Sequence, residues 1–188
     1  MGYEDALIAV ICHDLITPFN AISIGVEAFE LSHDWSLLES IKESSANANS
    51  ILCFIRELYS VKSDDFSYSV TSLNQTVSKF LEFHHISLKM HSNSENVIQP
   101  IGKIAIYNAA IAKGILPMGG EISINTNCNN RKISTTYSGE KVVPPNIENT
   151  NNDYRNVMLV GLLKFLNEFK FTITIEKEES HLIITAQG

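Results

Sequence analysis

Cysteine, basic charge and uninterrupted apolar runs are all scarce in this sequence, and each shortage excludes a class of protein. The three cysteines, Cys12, Cys53 and Cys128, are odd in number and far apart, with no Cys-x-x-Cys pair. A disulfide scaffold or zinc ribbon is therefore not expected, and a reducing cytoplasm is the default. Lysine and arginine total 14 against 21 acidic residues, a net charge of −7 with histidine neutral. A nucleic-acid binder would concentrate basic charge on one face, and an anionic membrane surface would also select for it. No apolar run approaches the roughly 20 residues that span a bilayer. The opening Met-Gly-Tyr-Glu-Asp lacks the basic segment of a secretory signal, so a cytoplasmic location is the expectation. Apolar side chains are plentiful: 44% of the 188 residues are hydrophobic and 19% charged, ample for a packed core.

The pattern of those side chains predicts two long helices first. From Glu4 to Leu31, apolar residues fall at Ile8, Ile11, Leu15, Ile22, Val26 and Phe29, interrupted by Pro18; these spacings suit one helical face. From about Asp34 to Val61 the repeat Leu38, Ile41, Ser45, Ala48, Leu52, Ile55, Tyr59 is the seam of a coiled coil or bundle. With only Ser32 and His33 clearly between them, the two helices must fold back as an antiparallel hairpin. A lone hairpin cannot cover both stripes. A second copy completing a four-helix dimeric bundle is the simplest cover, and packing on the rest of the same chain is the other.

Beyond the polar stretch Ser60–Ser69 the texture shifts to short alternating elements. Strands are expected at Phe66–Val70, Ile86–Met90, Glu121–Asn127, Lys132–Ser138, Phe171–Glu176 and His181–Ala186. Helices are expected at Leu73–His84 with Ser72 as N-cap, from Pro100 to about Lys113, and at Asn156–Phe169. Pro144-Pro145 and the asparagine-rich stretch after them read as loop. The fold class is α+β: a helical hairpin over residues 1–62, then an α/β sandwich over 63–188.

The chemistry concentrates in Cys12-His13-Asp14-Leu15-Ile16-Thr17-Pro18-Phe19-Asn20. At about 100° per residue, His13 projects nearly opposite the stripe through Ile11, Leu15, Ile22 and Phe29. Thr17, Asn20 and Ile24 share its face, and Val10 and Ile16 flank it. A histidine on a flat, partly apolar surface suits chemistry on a docked protein better than on a small molecule, which prefers a concave pocket. Asp14 can accept a hydrogen bond from one ring nitrogen and leave the other free as a nucleophile. Pro18 cannot donate to the Asp14 carbonyl and costs a helix about 3 kcal/mol, an odd choice for a merely structural helix.

Together these residues resemble the phosphoacceptor box of dimerising histidine kinases, His-Asp-Leu-x-Thr-Pro. The match is closer to ChpT-type histidine phosphotransferases, whose box reads Cys-His-Asp-Leu followed by a small hydroxyl residue and proline. Ser45-Ala46-Asn47-Ala48 leading to Leu52-Cys53-Phe54-Ile55-Arg56 resembles that family's second helix, including its arginine. Tyr107-Asn108-Ala109-Ala110 through Leu116-Pro117-Met118-Gly119-Gly120-Glu121 resembles the helix, turn and strand of its second domain.

The resemblance implies a dimeric four-helix bundle followed by a degenerate histidine-kinase ATPase-like domain. It further implies phosphoryl transfer between receiver-domain aspartates through His13, with Asp14 orienting the ring or shuttling a proton and Thr17 helping to hold the phosphoryl group. Val10, Ile16, Asn20 and Ile24 would dock the receiver, while Pro18 and Arg56 would be structural. The implied partners are an upstream hybrid histidine kinase and downstream response regulators such as a CtrA-type cell-cycle regulator. Mg²⁺ would come with the receiver, and no cofactor is expected on this chain.

True kinases add an asparagine-rich helix for magnesium and an Asp-x-Gly-x-Gly loop for the nucleotide. Here Ala112 and Lys113 stand where a second asparagine is wanted after Asn108, and the loop region offers only Thr136-Tyr137-Ser138-Gly139. ATP is therefore not expected as a cofactor. The spacing from Gly114 to Gly119-Gly120 suggests a P-loop, but Gly120-Glu121 replaces its Lys-Ser/Thr. Other readings are a divergent ATP-dependent kinase, a non-catalytic dimeric scaffold, or a metal-dependent phosphohydrolase built on His13-Asp14 and His33-Asp34. His84, His85 and His91 form a loose histidine set that reads as surface.

Overall fold

The computed structural model describes residues 2–60, 62–63, 65–145 and 156–188. The chain begins with α1 (Tyr3–Ser32) and α2 (Leu37–Tyr59), an antiparallel hairpin. His33 turns into the left-handed region at φ 52° to close α1, and the Asp34 carboxylate accepts the Ser36 amide at 2.9 Å. The helices meet closely: a Cβ on Gly25 would lie 2.7 Å from Ile41 Cγ1. Glycine leaves room there for the Ile41 side chain.

Next come β1 (Ser67–Ser69), α3 (Val70–Glu82), β2 (Ile86–Ser92), β3 (Asn96–Ile98) and α4 (Gln99–Ile115). They are followed by β4 (Gly120–Asn127), β5 (Lys132–Ser138), α5 (Val157–Glu168), β6 (Thr172–Lys177) and β7 (His181–Gln187). The main sheet has the order β2-β4-β5-β7-β6; β2 runs parallel to β4 and the other pairs are antiparallel. Its inner face carries Ile122, Ile124, Ile133, Tyr137, Leu182, Ile184 and Ala186, all buried in one core with α3, α4 and α5. Asn108 on α4 donates to Thr135 Oγ1 at 2.8 Å and accepts at its carbonyl from the Tyr137 hydroxyl, tying helix to sheet. Gly119 (φ 80°) and Gly120 (φ 144°) make the sharp turn from α4 into β4, conformations that a side chain would strain.

The α+β architecture agrees with the reading from sequence, with local differences. β1 pairs with β3, a strand that patterning does not announce, and the Val70 amide bonds to the Glu95 carbonyl at 2.9 Å. That pairing starts α3 at Val70, with Ser69 and not Ser72 at its N-cap position. The asparagine-rich part of the expected loop lies outside the described residues. The expected stripes also divide: Ile8 and Val26 on α1 and Ser45 and Leu52 on α2 are exposed, while Ala48, Ile51, Phe54 and Leu58 are buried. Finally, α1 is long and apolar enough, by length and composition, to cross a membrane. Counting uninterrupted runs misses this because His13, Asp14, Asn20 and Ser23 break them.

Candidate functional site

His13 stands in mid-helix on α1 with 74% of its side chain exposed. Its Nδ1 lies 3.2 Å from Asp14 Oδ1. With Nδ1 carrying the proton and donating to the carboxylate, Nε2 keeps its lone pair. Asp14 is only 20% exposed, because it sits where α1 meets the body of the molecule. Its second oxygen, Oδ2, accepts from the Lys113 ammonium near the end of α4. Val10, Ile11, Ile51, Phe54, Phe80 and Met158 close around this pair and leave a void of only about 10 Å³.

His84, just past α3, is the other titratable group nearby. Burial holds it below its ordinary value, the Lys113 ammonium and then His85 push the same way, and Asp14 opposes them. Pro18 is buried on α1 and, lacking an N–H, leaves the Asp14 carbonyl without its helical donor.

The expected site residues separate into three groups. His13, Thr17, Asn20, Ile16 and Ile24 are exposed along one side of α1, and Asp14 is in contact with His13. Val10 is not part of that surface: it is 6% exposed and packs with Ala6 and Val157. On the helical wheel Val10 lies at the boundary between faces, and docking of α5 turns that boundary inward. Arg56 lies outside the core as well: its side chain is 74% exposed and, among the described residues, its ion pair is with Glu57 at 3.9 Å.

The positions compared with a kinase's nucleotide site are engaged within the fold. Asn108 is 1% exposed and spends its amide on Thr135. Thr136, Tyr137 and Ser138 lie within strand β5, with Tyr137 fully buried. Lys113, at the position of the second asparagine, is committed to Asp14.

Lys113 is the neighbour of Asp14 that sequence reasoning missed. The available signal was a cation in the last turn of a largely apolar helix, Ile-Ala-Lys-Gly-Ile. A charge placed there demands a partner, but 99 residues separate it from Asp14.

No protein-family model matches the sequence, and no curated protein matches it. Among solved structures, a bacterial phosphotransferase superimposes with a TM-score of 0.83 at 20% identity, covering 98% of this chain and 95% of that one. The histidine kinase AdeS of Acinetobacter baumannii gives a TM-score of 0.50 at 15% identity, over 93% and 96% of the two chains. The histidine kinase ThkA, solved in complex with the response regulator protein TrrA, gives 0.51 at 16% identity, over 96% of this chain and 60% of that one. At these identities the likeness is one of fold. The chain shares with these proteins a fold in which a helical hairpin precedes an α/β region resembling a histidine-kinase ATPase domain.

Proposed function

We propose that the chain is a phosphorelay histidine phosphotransferase of two-component signalling, of the ChpT type. The observation that carries this reading is the exposed His13 imidazole on an outer helix, with its Nδ1 3.2 Å from the Asp14 carboxylate. The Nε2 lone pair attacks the phosphorus of a receiver's phosphoaspartate. The N–P bond forms, the acyl P–O bond breaks, and the aspartate leaves as carboxylate. The imidazolium so created keeps its Nδ1 proton, which Asp14 stabilises by charge. Transfer to a second receiver is the same step reversed. Both phosphorylated species are high in energy, so positioning and charge neutralisation dominate the barrier.

The receiver brings Mg²⁺, Thr17 contacts the phosphoryl group, and Ile16, Asn20 and Ile24 form the docking surface. Residues 1–62 form the phosphotransfer and dimerisation unit, and 63–188 hold the receiver from the side. Upstream is a hybrid kinase and downstream a response regulator, of the CtrA type by resemblance. The inward-turned Asn108 supports a chain that takes its phosphoryl group from a protein and not from ATP. Exposed Ile8, Phe19, Val26 and Leu52 support a second copy packed against the hairpin.

Incubating the full chain with a radiolabelled phosphoreceiver tests this. Acid-labile, base-stable label is expected on the wild type and none on His13→Gln. Retention of label by His13→Gln, or no label on the wild type, overturns the reading.

A further inference from the structure

We propose that Lys113 is a positioning residue for transfer at His13, holding Asp14 in the orientation that keeps Nδ1 bonded and Nε2 free; this rests on His13 being the phosphoacceptor. Adjacent residues of a helix point about 100° apart and do not ordinarily face each other. Left alone, the Asp14 carboxylate would turn to water, and the ring of His13 would rotate about its own side-chain bonds. The bond from Lys113 to Oδ2 fixes the carboxylate, and Oδ1 is thereby presented to His13 Nδ1. Both oxygens are then engaged by different elements, one on α1 and one on α4.

The charges point the same way: the Lys113 ammonium draws the Asp14 carboxylate toward α4 through Oδ2 and leaves Oδ1 for the ring. Among the described residues no other acid adjoins the site: α3 contributes His84, followed by His85, while α2 and α5 contribute apolar Ile51, Phe54, Ile55 and Met158. Lys113 is 33% exposed in an apolar seam, where an apolar side chain would serve stability as well or better. Its chemistry therefore answers a need of Asp14 and not of the core. Because α4 packs on the main sheet, any shift of α4 along α1 would also change the acceptor.

The test uses the full chain, a phosphorylated receiver, and the variants Lys113→Met, Lys113→Arg and Asp14→Asn. Lys113→Met is expected to slow labelling of His13 about tenfold, as loss of a group acting through a catalytic residue does. Lys113→Arg, which keeps the cation, should recover most of the rate. In the Asp14→Asn background Lys113→Met should slow labelling no further, since the two act as one unit. A Lys113→Met protein with the wild-type rate overturns the proposal, and so does an arginine variant as slow as the methionine one. The tautomer of the neutral His13 ring, read by nitrogen NMR without any receiver, separates positioning from a structural role. Loss of the excess of the Nδ1–H form in Lys113→Met supports the proposal, and an unchanged tautomer ratio overturns it.

Discussion

Helices α1 and α4 look alike in sequence, both long and rich in isoleucine and alanine, yet the fold treats them in opposite ways. Of the 17 residues in α4, 14 are buried, including the polar Gln99, Lys103 and Asn108. Of the 30 in α1, only Ala6, Val10 and Pro18 are buried. One helix is wrapped by α3, α5 and the sheet; the other lies on the outside and keeps its apolar side chains uncovered. The difference teaches where stability resides and where reactivity is displayed. The outer helix carries the proposed phosphoacceptor, His13, and the inner one anchors both hairpin helices by lysines. Lys103 Nζ donates to the carbonyls of Glu57, Leu58 and Ser60 at 2.6, 2.8 and 2.9 Å, at the end of α2. Lys113 takes Asp14 on α1.

The sharpest way to break this contrast is to make one change on each helix. Ile104 is 1% exposed, and Ile104→Ala is expected to cost about 4 kcal/mol in urea unfolding, from lost burial plus the cavity left behind. Phe19 on α1 is half exposed, and Phe19→Glu should leave the stability of a single chain within about 0.5 kcal/mol. If the proposed second copy packs on this face, the effect appears in assembly: light scattering falls from the mass of two chains to that of one, and unfolding loses its dependence on protein concentration. A Phe19→Glu protein that unfolds as readily as Ile104→Ala would mean α1 is as much core as α4.

Lys103 comes next in size. Its ammonium satisfies carbonyls that the end of α2 leaves without helical donors, and Lys103→Met strands them at a cost of about 2 kcal/mol near pH 7. Burial holds Lys103 down to about 8, from an ordinary value of 10.5, with Lys62 adding to the depression and Glu57 opposing it. Between those two values the unfolded chain binds more protons than the folded one, so this contribution to stability is full above about 10.5 and is lost as pH falls through about 8. Urea midpoints of wild type and Lys103→Met should therefore diverge as the buffer is raised from about pH 7.5 to about 9.5. Parallel midpoints across that range would show that the buried lysine is not depressed at all.

The two helices also show why parts of the structure were legible and parts were not. Period and capping are local, so α1, α2, α4 and α5 and the alternating strands β4 to β7 could be read from the residues themselves. β3 could not, because a three-residue strand places only Val97 inward and period needs repetition. Ser69 and Ser72 are equivalent N-caps by chemistry, and only the pairing of β1 with β3 separates them. His13 was legible because its polarity interrupts an apolar helix in a known box of residues. The inward turn of Val10 depends on α5, and the bond from Lys113 to Asp14 depends on α4; in neither case does the nearby sequence name the partner. Helical character follows from the segment, whereas burial follows from its neighbours.

His84 offers the smallest effect and tests the boundary between the two regions. It stands where α3 meets the Asp14–Lys113 pair, half-buried with its ring edge-on to Phe80 at 5.2 Å. Burial lowers its affinity for a proton first, and the neighbouring Lys113 and His85 lower it further against the pull of Asp14. The folded chain therefore holds this proton less tightly than the unfolded chain, whose histidine titrates near its ordinary value of 6.5. By linkage the contribution to stability is present above that value and is lost as pH falls below it. His84→Gln, which takes up no proton in either state, should lose less stability than wild type between about pH 7 and about pH 5, read as urea midpoints. If Lys113 is the source of part of that depression, adding Lys113→Met to the wild-type histidine should also reduce the acid loss. An acid loss unchanged by either substitution would place the acid-sensitive group elsewhere, and would show that the junction between hairpin and sheet carries no charge strain.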